Sequence, residues 1–148
     1  MTTLADKKNL IFYADDDLDD LQLVEEAFSK YSQNIKLETA NDGMEAISYL
    51  KQMQYDQITP CLIILDINMP RLDGREALLK IRQMDHLENV PVILFSTSSH
   101  PSDKAFANTY NAGFITKPID YTQLESIINT FIDHCTDDIQ KITRMISN

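Results

Sequence analysis

Four consecutive apolar residues, Leu62-Ile63-Ile64-Leu65, run straight into a carboxylate at Asp66. A short apolar run without polar alternation marks a strand buried on both faces, as found inside parallel α/β sheets. Asn9 to Ala14 is a second such run, rich in strand formers, and it stops on Asp15-Asp16-Asp17. Val92-Ile93-Leu94-Phe95, opened by Pro91, stops on Ser96-Thr97-Ser98-Ser99, and Gly113-Phe114-Ile115-Thr116 stops on Lys117-Pro118. Ile35, Leu37 and Thr39 alternate with polar neighbours and lead into the turn signal Asn41-Asp42-Gly43, which predicts a half-exposed strand.

Helical spacing fills the intervals. Leu21, Val24, Ala27 and Phe28 recur at three- and four-residue steps within Leu18 to Ser29, and Asp17, Asp19 and Asp20 favour a helix N-terminus there. Ala46, Ile47, Leu50 and Met53 predict a second helix, and Ala77, Leu78, Ile81 and Met84 a third. A fourth, weakly periodic helix is predicted to start at Pro101 or Ser102 and to carry Ala105, Phe106 and Ala107. The last, starting near Asp120 or Thr122, carries Leu124, Ile127, Ile128 and Phe131. Five strand-helix units in strict alternation predict a doubly wound α/β fold, a five-stranded parallel sheet with helices on both faces. Ile139, Ile142, Met145 and Ile146 keep helical spacing beyond it, so the expected organisation is one domain over 8–133 and a helical extension over 134–148, with no separate output domain.

Composition narrows the class. With 148 residues, 43% of them hydrophobic, the chain can bury one core. A net charge of -10 repels nucleic-acid backbones, so direct nucleic-acid binding is excluded. No stretch approaches the roughly 18 apolar residues of a membrane helix, and the first residues lack the apolar stretch of a signal peptide, which predicts a cytoplasmic protein without membrane insertion. Cys61 and Cys135 are far apart and fit no metal or CxxC spacing, so both are expected to be reduced.

All strands of a parallel sheet point the same way, so Asp15, Asp16, Asp66, Ser96, Thr97 and Lys117 are predicted to meet at one edge, where ligands of such sheets bind. Any one of them alone would commonly be a helix cap or a solvated loop group. Their joint placement at four strand ends is what argues for a site. Two carboxylates about 4 Å apart repel by ~4 kcal/mol at an effective dielectric near 20, so three of them call for a positive partner. Lys117 is one candidate and a divalent cation the other; an all-oxygen donor set suits Mg²⁺, and no histidine lies near a strand end to favour zinc or copper. A carboxylate can also act as a nucleophile and form an acyl phosphate. Asp66 would attack phosphorus, Asp15 and Asp16 would hold Mg²⁺, Lys117 would offset charge on the phosphoryl oxygens and Ser96 would donate a hydrogen bond.

In these residues the chain resembles the response-regulator receiver domains of two-component signalling, of the single-domain chemotaxis kind, from about Lys8 to Phe131. The resemblance implies the flavodoxin-like receiver fold with strand order 2-1-3-4-5. It places the family's acidic pair on Asp15 and Asp16, its phosphoacceptor on Asp66, its switch hydroxyl on Ser96, its lysine on Lys117 and its switch aromatic on Phe114. It also implies a main-chain carbonyl ligand to Mg²⁺ at Asn68, whose side chain tunes phosphoryl lifetime, and a cis peptide at Lys117-Pro118. Thr97 stands where family members often carry a smaller residue, which implies slower access for phosphoryl donors.

The implied role is a phosphoacceptor switch that catalyses only its own phosphorylation and dephosphorylation. The implied donor is a phosphohistidine on a sensor histidine kinase or a histidine phosphotransfer protein, and the implied output is a downstream protein partner. Onward transfer to another histidine protein, as a phosphorelay intermediate, is the alternative output. A haloacid-dehalogenase-type phosphatase would need a second acid where this chain has Asn68. A flavodoxin-like flavin carrier would need a hydroxyl- and glycine-rich phosphate loop where this chain has three carboxylates. An adaptor that has lost phosphorylation would have no reason to carry all five site residues.

Overall fold

The computed structural model describes residues 9–31, 35–97, 100–118, 120–133 and 135. Strands β1 (Asn9–Ala14), β2 (Ile35–Ala40), β3 (Leu62–Leu65), β4 (Val92–Ser96) and β5 (Gly113–Thr116) alternate with helices α1 (Leu18–Phe28), α2 (Gly43–Tyr55), α3 (Gly74–Arg82), α4 (Pro101–Thr109) and α5 (Tyr121–Asp133). The strands form one parallel sheet in the order β2-β1-β3-β4-β5, as expected. Apart from Cys135, the helical extension expected over 134–148 lies outside the described residues, as do Ser98 and Ser99.

Strand periodicity divides the core into two layers. Phe12, Ala14, Ile63, Leu65 and Leu94 face one side, against Ala46 and Leu50 of α2, Ala77, Leu78 and Ile81 of α3 and Ala107 of α4. Ile11, Tyr13, Leu62, Ile64, Ile93 and Phe95 face the other, against Leu21, Val24 and Phe28 of α1 and Leu124, Ile128 and Phe131 of α5. All four residues of β3 are fully buried, which explains a strand with no polar position.

The helices start where side chains satisfy their free N–H groups. Asp17 accepts from the N–H groups of Asp19 and Asp20 at 3.0 and 3.2 Å. Asp42 caps α2 through Glu45 N–H at 2.8 Å, and Asp73 forms a reciprocal capping box with Glu76 on α3. The weakly periodic fourth helix spans nine residues because its start is well specified: Pro101 occupies the first turn, and His100 Nδ1 accepts from Ser102 N–H at 3.1 Å. The chain leaves α1 through a 3-10 turn, Ser29–Tyr31, and a second such turn at Asp85–Leu87 leads toward β4; neither was expected.

Two arginines tie α3 to its neighbour. Arg75 pairs with the buried carboxylate of Asp103 on α4 and lies 5.6 Å from the centre of the Phe106 ring. Arg82 donates to the carbonyls of Tyr110, Asn111 and Val90 at 2.9, 3.0 and 3.2 Å, gathering the turn between α4 and β5, where Asn111 adopts φ 56°.

The expectation of two reduced cysteines is corrected. Cys61, just before β3, and Cys135, just after α5, form a disulfide with Cα atoms 5.0 Å apart. Docking of α5 on the sheet brings its end to the base of β3, a proximity that 74 residues of sequence conceal. A disulfide is typically worth about 2–4 kcal/mol, so reduction should lower the melting temperature by about 5–15 °C. Calorimetry with and without a dithiol reads this; equal midpoints, or a Cys61→Ser variant that still responds to the dithiol, would contradict it.

Candidate functional site

The register of the sheet sets the site. Ala14 pairs with Leu65, so the residues that follow, Asp15 and Asp66, leave their strands side by side; Asp66 N–H donates to Ala14 carbonyl at 2.9 Å and Asp15 N–H to Ala40 carbonyl at 3.0 Å. Ser96 pairs with Thr116, and Lys117 N–H donates to Ser96 carbonyl at 2.7 Å, which carries the lysine to the same edge. Its Nζ lies 2.6 Å from Asp15 Oδ2, 2.8 Å from Asp20 Oδ2 and 3.1 Å from Asp66 Oδ2. The ammonium thus gives a contact to each of three carboxylates, and its side chain is only 7% exposed.

Burial and charge set the protonation of the group. Asp15 is fully buried and also accepts from the Tyr13 hydroxyl and from Asp17 N–H at 3.0 Å. Asp66 is buried, which pushes its carboxyl up; the Asp15 charge and hydrogen bond push it further and Lys117 pulls it back, leaving it raised to about 7. Burial alone would lower Lys117, but its hydrogen bonds to Asp15 and Asp20 and the charges of Asp15 and Asp66 outweigh that and hold the ammonium firmly protonated. Burial, followed by the neighbouring Asp15 charge, drives the Tyr13 phenol far above its ordinary range, so it remains a donor.

The predicted residues divide as follows. Asp15, Asp16, Asp66 and Lys117 come together, with carboxylate oxygens of the three acids within 4.8 Å of one another. Asp15 and Asp66 are buried and Asp16 is exposed, so the cluster opens to solvent on one side. Three hard oxygen donors with one open side fit a small divalent cation and leave room for other ligands. Asn68 is exposed, and its N–H donates to Asp66 Oδ1 at 3.3 Å. Ser96 is fully buried at the end of β4, beside exposed Thr97. Phe114 is half-buried on the α4 side of the sheet, with Lys104 Nζ 5.9 Å from its ring centre, so it borders the α4 face rather than the carboxylate cluster.

The Lys117-Pro118 peptide departs from expectation: the described residues contain no cis bond, so it is trans, the form an X-Pro bond favours by about 0.5–1 kcal/mol. Asp20 and Tyr13 also join the cluster, where neither was expected. Asp20 looks like one more acid in a helix N-terminus. The one signal for Tyr13 is its place two residues before Asp15, on the same side of the strand.

The strand-end acids bridged by Lys117 and the doubly wound parallel sheet define the class as α/β, with an acidic cluster at one sheet edge. The chain belongs to the response regulator receiver domain family, whose family model matches residues 11–129. It is 33% identical to response regulator Rcp1 of Synechocystis over 105 residues, 68% of this chain and 71% of that relative. It resembles the crystal structure of the phosphorylated cyanobacterial phytochrome response regulator RcpA with a TM-score of 0.77 and 31% identity, covering 85% of this chain and 95% of the other. It also resembles the Mn²⁺-bound form of response regulator Rcp1 with a TM-score of 0.72 and 28% identity, covering 80% and 91%. The chain is therefore a receiver domain of two-component signalling, a phosphoacceptor switch and a regulatory protein. No helix among the described residues is long and apolar enough to cross a membrane.

Proposed function

We propose that Asp66 is the phosphoacceptor and that a phosphohistidine of a sensor histidine kinase or a histidine phosphotransfer protein is its donor. The observation that carries this reading is the single ammonium of Lys117 in contact with both Asp15 and Asp66 at the sheet edge. In the transfer, an ionised Asp66 oxygen forms a bond to phosphorus as the N–P bond of the phosphohistidine breaks, and the electron pair stays with the imidazole nitrogen. Lys117 would offset charge on the phosphoryl oxygens, and Ser96, at the end of β4, would donate a hydrogen bond to one of them. Asp15, Asp16, Asp66 and the Asn68 carbonyl would hold Mg²⁺, which when bound supplies further neutralisation of phosphoryl charge.

A phosphoryl group engaged by Ser96 and Lys117 acts on β4 and β5 together, and through Phe114 on the α4 face, so the response is a shift between two populated arrangements of that surface. The output passes to a downstream protein partner. Incubation with Mg²⁺ and acetyl phosphate, followed by intact-mass and peptide mass spectrometry, tests the assignment. One phosphoryl mass gain at Asp66 is expected, with none in Asp66→Asn; labelling that persists in the variant would sink it.

A further inference from the structure

We propose that Tyr13 is a positioning residue for the metal site: its hydroxyl holds one oxygen of Asp15, so that this carboxylate offers a cation only the other. The inference rests on the reading of Asp15 as a Mg²⁺ ligand. Tyr13 is fully buried, and its ring meets that of Phe95 edge-on at 6.2 Å. Phe95 in turn meets Phe131 of α5 at 5.4 Å with the planes at 87°. Packing from β4 and α5 therefore fixes the ring, and the ring carries its hydroxyl to Asp15 Oδ2.

The acceptor positions of Asp15 are nearly used up. A carboxylate has about four lone-pair positions on its two oxygens. The Tyr13 hydroxyl and Lys117 Nζ, the latter at 2.6 Å, occupy Oδ2, and Asp17 N–H takes one position on Oδ1 at 3.0 Å. With Asp66 ionised, one position on Oδ1 is left for a cation shared with Asp16 and Asp66. Ligation through a single oxygen suits Mg²⁺, which demands near-octahedral geometry. It handicaps Ca²⁺, which takes more ligands and accepts both oxygens of a carboxylate. Removing the hydroxyl would free a lone pair on Oδ2 and loosen the plane of the carboxylate. Asp15 has no exposure, so bulk water does not replace the lost donor. Loss of a donor that orients a metal-binding group commonly costs about 10–100-fold in metal affinity.

Calorimetric titration of the full chain with Mg²⁺ and, separately, with Ca²⁺ tests this. Tyr13→Phe keeps the ring and removes only the hydroxyl. Its dissociation constant for Mg²⁺ should rise about tenfold, and its preference for Mg²⁺ over Ca²⁺ should shrink about threefold. An unchanged Mg²⁺ affinity would overturn the proposal, as would an equal loss for both ions, which marks general loosening of the fold. A second measurement needs no variant: in carbon NMR of the tyrosine-labelled wild type, the Tyr13 Cζ signal should move with Mg²⁺ at the midpoint of the calorimetric curve. A signal that stays in place through saturation would also overturn it. A wild-type chain with no saturable Mg²⁺ binding would instead overturn the reading of Asp15 as a metal ligand.

Discussion

Gly74→Ala is expected to destabilise the protein by about 3 kcal/mol and to impair labelling of Asp66 as well. A Cβ at this position would stand 2.3 Å from the Asp66 carbonyl oxygen, 2.8 Å from Ile67 Cα and 2.9 Å from the Asp66 carbonyl carbon. All three are backbone atoms, so no side chain can swing aside. Gly74 N–H also donates to Ile67 carbonyl at 2.8 Å, which fixes the first turn of α3 against the loop after Asp66. Alanine would recover about 1 kcal/mol of helix propensity, too little to offset moving that backbone. Gly113→Ala is the internal comparison: its Cβ would first meet a side-chain atom, Ile93 Cγ1, at 3.3 Å, so the neighbour can yield and the cost should stay within about 1 kcal/mol. Urea denaturation of both variants reads the difference, and a Gly74→Ala protein as stable as wild type would refute the close-approach argument.

In chelator, Asp66→Asn should be more stable than wild type at pH 8 by about 2–3 kcal/mol, and the advantage should vanish toward pH 4. The carboxyl is raised to about 7 in the folded protein against an ordinary value of 3.8. Below about pH 4 it is protonated in both states and contributes nothing. Between the two values the folded state holds the extra proton, so this group makes stability fall as pH rises. Above 7 the full cost of the buried charge is present. That sign is opposite to the usual salt-bridged carboxylate, because burial and the Asp15 charge outweigh the attraction of Lys117. Lys117 itself stays protonated across this window and adds no slope there. Stability curves of the two proteins at pH 5 and pH 8 isolate the Asp66 contribution as their difference; a difference that does not grow with pH would contradict the assigned protonation.

The sheet and the candidate site were legible because four of the five strands end abruptly on carboxylate, hydroxyl or lysine side chains. A run such as Leu62 to Leu65 has no polar residue before Asp66, so the last residue of the strand and the candidate site residue are adjacent in sequence. Alternation of five such units then sets the direction of every strand, and with it the edge at which the ends meet. Asp20 was hidden by an ambiguity of helices: acids in a first turn are ordinary complements to the helix dipole, and nothing in spacing reveals that one of them reaches a lysine 97 residues away. The disulfide was hidden for a related reason. Its partners belong to elements whose contact depends on how α5 lies across the sheet, and no local pattern encodes that angle. The fourth helix read weakly because its buried positions are few, Asp103 and Ala107, and one of them is an acid.

That acid gives α3 a mechanical role. Arg75 and Arg82 are seven residues apart, two helical turns, and so project from one side of α3 about 10 Å from each other. One is fastened to the first turn of α4, the other to the corner that follows α4. A helix clamped near both ends cannot slide or tilt against its neighbour unless a charge-assisted attachment breaks, so α3 and α4 behave as a cross-braced truss. Because α3 begins at Gly74, whose N–H is bonded to the residue next to Asp66, strain applied at the loop after Asp66 is borne by this frame as a unit.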